Sequence, residues 1–262
     1  MESITRAVQR AKEAAPDAVL TERLVERFGI RGAVERAPAP SPEPMPDAVV
    51  LDERILRRNR IVAFDADAPL SRHYDLLRNQ VTQNVGKTGR LVIAVSAPTR
   101  NCGATVTATN LALSLARNRA QRVVLVEAND QNMSVRRYLG LPGDDVFRQQ
   151  AHLLSKELVT SVSVGGVPLR ILTYAAPEHD GASALIGLAR ALRDDEPTVV
   201  VIDLPPLLTS DVAMSYIAVS TATVVVLAVG ETTHAEVESS RSLLNQRDRV
   251  QYVLNKTGRH GL

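Results

Sequence analysis

The chain has 262 residues, 45% of them hydrophobic and 23% charged, a balance that excludes intrinsic disorder and leaves room for one α/β domain plus an extension. Its formal net charge of +2 is too small to argue for a nucleic-acid partner, and its single cysteine, Cys102, excludes an internal disulfide and suits a reducing cytoplasm. No apolar stretch reaches the ~18 residues of a membrane span, so any membrane association is expected to need a partner.

Residues 2–14, ESITRAVQRAKEA, put Ile4, Ala7, Val8 and Ala11 on one helical stripe. Val19, Leu20, Leu24, Val25 and Phe28 recur at similar spacing, so 1–36 is predicted as a short helical segment. The prolines of APAPSPEPMPDA, 37–48, can build neither a helix nor a ladder, and this stretch reads as an extended linker. The domain proper is expected over 49–262. It alternates strand signals at 90–98, 122–130, 167–175, 198–206, 222–230 and 250–256 with helix signals at 106–118, 183–192 and roughly 234–247. Continuous Val/Ile/Leu strands suit a sheet covered on both faces, so the expected fold is a doubly wound, mostly parallel α/β domain. Ligands of such sheets bind outside the carboxyl ends of the strands.

One of those ends carries SAPTRNCGATVTATN, residues 96–110, between a strand run and a helix run. A phosphate-binding loop, G-x-x-x-x-G-K-[ST], uses glycines to converge backbone N–H groups on phosphates at a helix N-terminus. Its lysine reaches the terminal phosphates, and its Ser/Thr holds magnesium. The pattern aligns on Pro98 to Thr105. Gly103 and Thr105 fit, whereas Pro98 replaces the first glycine and Ala104 the lysine. Asn101, Cys102, Gly103, Ala104, Thr105 and Val106 are therefore the candidate phosphate contacts, with Arg100 a candidate substitute cation. Two bland roles stay open beside these: Gly103 as a close-packing residue and Thr105 as a helix cap. Cys102 reads as a small apolar filler, and the five histidines show no metal-ligand spacing. Asp203, at the end of VVVIDLPP, reads either as a turn-forming residue before Pro205-Pro206 or as a functional carboxylate at a strand end facing the loop.

With GATVTATNLALSLA, VVLVEAND, VVVIDLPP and VVVLAV…VLNK in register, and with MESITRAVQRAKEA, the proline linker and VVLDERILRRNRIVAFDADAPLSRHYDLLRNQV ahead of them, the chain resembles the bacterial tyrosine autokinases of exopolysaccharide export. The order is that of their exosortase-associated branch, within the larger group of Min- and Par-type P-loop ATPases. The resemblance implies a P-loop NTPase fold that takes ATP or ADP with magnesium. It implies Glu127 as a metal ligand alongside Thr105 and Asp203, and Asn255 as a base contact, though Asn255 could equally hydrogen-bond backbone. It also marks departures. The loop lysine is Ala104, the second acidic motif keeps Glu127 but is neutral at Asn129, and TGRHGL holds none of the five tyrosines, so no substrate tail is expected. The family's ring-assembly helix, E-x-x-R-x-x-R, matches Arg72, Asp75 and Arg78 with its first two signs exchanged.

The resulting expectation is a degenerate, weakly nucleotide-binding regulator of exopolysaccharide biosynthesis. It would be cytoplasmic and held at the inner membrane by a polysaccharide co-polymerase or chain-length protein, with homo-oligomers open and nucleic acid excluded. One alternative is an active ATPase or tyrosine kinase whose missing cation comes in trans. Another is a Min/Par-like localisation module.

Overall fold

The computed structural model describes residues 47–83, 91–118, 122–129, 135–141, 158–173, 198–244 and 249–257. The predicted helices within 1–36 and at 183–192, and nearly all of the linker, lie outside the described residues.

In chain order the elements are β1 (Val49–Val50), α1 (Glu53–Arg58), α2 (Ser71–Gln83), β2 (Leu91–Ser96), α3 (Ala104–Arg117), β3 (Arg122–Glu127) and α4 (Val135–Tyr138). Then follow β4 (Leu158–Val164), β5 (Val167–Thr173), β6 (Thr198–Asp203), α5 (Val212–Val219), β7 (Ala222–Ala228), α6 (His234–Leu243) and β8 (Val250–Asn255). They form one eight-stranded sheet in the order β1-β4-β5-β3-β6-β2-β7-β8. The six predicted strands are all present and mutually parallel from β5 to β8. The unpredicted β4 pairs antiparallel with β5, and β1 runs parallel to β4. Their hairpin turns at Gly165 and Gly166, both at positive φ (54° and 74°), the geometry a two-residue primed turn demands.

Side-chain alternation along the buried strands divides the core. Ile93, Val95, Leu125, Val199, Val201, Val224 and Val226 pack with Ala108, Leu111 and Leu115 of α3 on one face. Val92, Ala94, Val124, Val126, Val200, Ile202 and Val225 meet Tyr216 and Ile217 of α5 on the other. Burying each such aliphatic side chain contributes ~1.5–3 kcal/mol, so both faces must stay covered. By the same alternation Glu127 and Asp203 fall on the α3 face, and they are register partners on neighbouring strands.

α3 is buried on nearly all sides, and its polar residues fasten the preceding segment. Asn110 accepts from the Val62 and Ala63 N–H groups at 2.8 and 2.9 Å and donates to the Arg60 and Val106 carbonyls at 2.9 Å each, using its full hydrogen-bonding capacity. On α2, Asp75 accepts from Arg117, from Arg78 at 3.0 Å and from the Ser114 hydroxyl at 2.6 Å. Asp75 thus pairs with Arg78 and with Arg117 of the protein's own α3, and of the matched trio Arg72 alone is exposed. No helix among the described residues is long and apolar enough to cross a membrane.

Candidate functional site

The loop 97–103 lies across the carboxyl ends of β2 and β6. It is fixed there by backbone bonds from Leu204 N–H to the Val95 carbonyl and from Leu207 N–H to the Ala97 carbonyl, both at 2.9 Å. The Ser96 hydroxyl adds a bond to the Pro205 carbonyl at 2.7 Å. Helix α3 starts at Ala104, two residues earlier than predicted, so Thr105 sits in its first turn. Asn101 and Gly103 both take left-handed backbone, with φ of 65° and 95°.

Gly103 owes its identity to a close approach. A Cβ there would run into the side-chain amide of Asn255, which donates to the Cys102 carbonyl at 2.8 Å. The asparagine expected at the base thus braces the loop from the end of β8. Cys102 is buried, its Sγ 3.6 Å from the Thr232 hydroxyl, in the packing role expected of it.

Beside the loop lies a cavity of about 480 Å³, within the range of small-molecule sites. Its wall takes in Asn101, Cys102, Gly103, Ala104, Thr105 and Val106, every loop residue the motif singled out. Facing them are Asn129, which follows β3, and Arg137 and Tyr138 of α4. Asn129 entered the sequence reading only as the neutral position of the acidic motif; Arg137 and Tyr138 were missed, since nothing in SVRRYLG repeats a motif, and the topological rule for sheet ends was the one available signal.

Beneath Thr105, Asp203 is completely buried, and neither carboxylate oxygen completes a hydrogen bond of good geometry. Burial pushes its carboxyl well above the usual carboxylate range; the Thr105 hydroxyl opposes that shift, and the charge of Glu127 adds to it. Glu127 itself is spoken for structurally. Its Oε1 accepts the Val135 N–H at 2.7 Å and its Oε2 the Thr173 hydroxyl at 3.1 Å, tying α4 and β5 to the end of β3. Among the three expected metal ligands, Asp203 and Thr105 meet at the loop, whereas Glu127 anchors α4. No group of three or more His, Cys, Asp or Glu side chains suited to holding a metal ion occurs among the described residues.

No family model and no curated protein matches the chain. Solved structures do. The chimerical protein CapA2B2 superposes with a TM-score of 0.64 at 17% identity, over 90% of this chain and 99% of that one. The kinase domain of Escherichia coli tyrosine kinase ETK gives 0.60 at 17% identity, over 77% and 83%. The BceF tyrosine kinase domain gives 0.56 at 20% identity, over 80% and 92%. At this identity the likeness establishes the fold alone: a mostly parallel α/β sheet of the kind these bacterial tyrosine kinase domains have.

Proposed function

We propose that this protein is a nucleotide-binding regulator built on the tyrosine kinase fold, with ATP or ADP as its ligand and little or no phosphoryl transfer. The observation that carries the reading is Asp203, a completely buried carboxylate neither of whose oxygens completes a hydrogen bond of good geometry, beneath Thr105 of the wall of a 480 Å³ cavity. A carboxylate in that state costs several kcal/mol unless a proton or a cation joins it. Asp203 and the Thr105 hydroxyl are the oxygen donors that would hold magnesium, and the backbone N–H groups at the start of α3 would receive the phosphates. When bound, magnesium would neutralise charge on the phosphate oxygens. Glu127 contributes by ordering α4 and adding negative charge beside Asp203.

Ala104 decides against efficient chemistry. Loss of a single preorganised donor commonly costs about a hundred- to a thousand-fold in rate, whereas binding loses only one charge-assisted contact among several. The protein would then act through its state of occupancy, docked on an inner-membrane chain-length or export protein of the exopolysaccharide machinery. Assembly through α2 is a weaker prospect, because Asp75 and Arg78 are consumed within the chain.

Calorimetry with ATP and magnesium on the wild type and on Ala104→Lys tests this reading, run beside an autophosphorylation assay. The expected result is measurable wild-type binding, tighter binding by the variant, and no phosphotyrosine on the wild type. Wild-type phosphorylation that is lost on Asp203→Asn would show an active kinase and defeat the proposal.

A further inference from the structure

Which group faces the phosphates in place of the lysine? Among the described residues, two cationic side chains line the cavity, Arg100 and Arg137. Arg100, the substitute expected from sequence, already has an interaction partner. Arg137 is exposed, and its guanidinium makes no hydrogen bond or ion pair with the described residues.

The backbone that carries Arg137 is nevertheless held firmly. Glu127 accepts the Val135 N–H at 2.7 Å, and Asn59 donates to the Tyr138 carbonyl at 2.8 Å. Backbone bonds from Leu139 to Val135 and from Leu141 to Arg136 close the short helix at 3.0 Å each, and Gly140 turns at φ 69° against Ile55. A fixed backbone presenting an uncommitted guanidinium to a cavity is the arrangement of an anion-binding side chain, since the planar fork meets two phosphate oxygens at once.

The neighbouring residue on the same wall carries no charge to compete for the guanidinium. Asn129 is buried, lines the cavity, and its side-chain oxygen has no hydrogen-bond partner. Being neutral, it leaves Arg137 without a carboxylate to pair with on that wall. The start of α3 supplies N–H groups from the opposite side, and Asp203 waits beneath it.

We propose that Arg137 is the phosphate-binding cation of this site, supplied in cis from α4 across the cavity from the loop, and that it grips the polyphosphate end of a nucleoside di- or triphosphate. This rests on the nucleotide-binding reading above and names the residue that makes such binding workable without a loop lysine. It also removes the need for a cation from a second subunit.

The test is calorimetry of the full chain with ATP, pyrophosphate and adenosine, comparing wild type, Arg137→Ala, Arg137→Lys and Arg100→Ala. Losing a charge-assisted bidentate contact should weaken ATP and pyrophosphate by about ten- to a hundred-fold in Arg137→Ala. Adenosine should be unaffected, Arg137→Lys should recover part of the loss, and Arg100→Ala should change ATP affinity by less than about threefold. Ligand-free melting of the Arg137 variants should match wild type, because the guanidinium holds nothing in the folded domain. Equal ATP affinity in wild type and Arg137→Ala would overturn the assignment while leaving nucleotide binding standing. A wild type that binds neither ATP nor pyrophosphate would overturn both.

Discussion

Gly103 was legible from the phosphate-loop spacing, yet the structure gives it a different reason to be glycine. Its φ of 95° and the Asn255 amide lying where a Cβ would go both forbid a side chain. Gly103→Ala should cost more than about 1 kcal/mol in chemical denaturation, and removing the obstacle with Asn255→Ala should make the glycine substitution cheaper. Additive losses in that double-mutant cycle would show that the two residues do not press on one another. Asp203 was equally legible from its position at a strand end, but its complete burial without a hydrogen bond of good geometry was not, because burial and hydrogen bonding are properties of the assembled fold. Its folded-state pKa lies well above the ordinary 3.8, so the stability it contributes is fully present below that ordinary value and is lost as pH rises through the folded value. In nucleotide-free, chelated protein, Asp203→Asn should therefore raise the melting temperature at neutral pH, and the gain should shrink as the solution is acidified. A gain unchanged between acid and neutral pH would mean that Asp203 is not being forced to ionise in the fold. The same variant should lose its magnesium-dependent nucleotide affinity.

At the scale of elements, the strands most easily read were those buried on both faces, where long Val/Ile/Leu runs leave no ambiguity. β4 escaped because LVTSVSV alternates between apolar and polar residues, as an outer strand does, and only the Gly165-Gly166 turn marks it as half of a hairpin. α5 escaped because VAMSYIAV is apolar almost all round and so carries no stripe to mark it as a helix. α4 has only four residues, too short for any periodicity, although it supplies a wall of the cavity. α2 entered only through the resemblance to the family's assembly helix, and there the structure redirects the interpretation from assembly to internal bracing. Asp75 gathers Arg78, Arg117 and Ser114 onto one half-buried carboxylate. Asp75→Ala leaves those donors partly stranded, so it should lower stability by about 2 kcal/mol in urea titration, less than the loss for a fully buried pair because the group is partly solvated. Arg72→Ala, at an exposed site on the same helix, should stay within about 0.5 kcal/mol of wild type. If Arg72→Ala destabilised as much as Asp75→Ala, the bracing role assigned to Asp75 would lose its basis.

Across the whole molecule, the candidate ligand would touch segments that follow three different strands: the loop after β2, Leu204 and Pro206 after β6, and Asn129 and Arg137 beyond β3. These segments are distant in sequence and meet at the carboxyl ends of three central strands, so a ligand held among them adds contacts that only the folded domain can offer. Linkage then requires the entire cooperative unit to gain stability on binding, by about 1.4 kcal/mol when free ligand is tenfold above its dissociation constant. In a domain of this size that corresponds to roughly 3–6 °C in melting temperature. ATP with magnesium should produce that shift in the wild type, ATP with a chelator a smaller one, and adenosine the least, since the named groups act on the phosphates and their cation. Phosphate release measured on the same samples should be negligible and proportional to protein concentration, because the cation assigned to the site comes from the same chain. Turnover that climbs more steeply than protein concentration would mean that a second subunit completes the site, and the cavity described here would then be half of a catalytic centre.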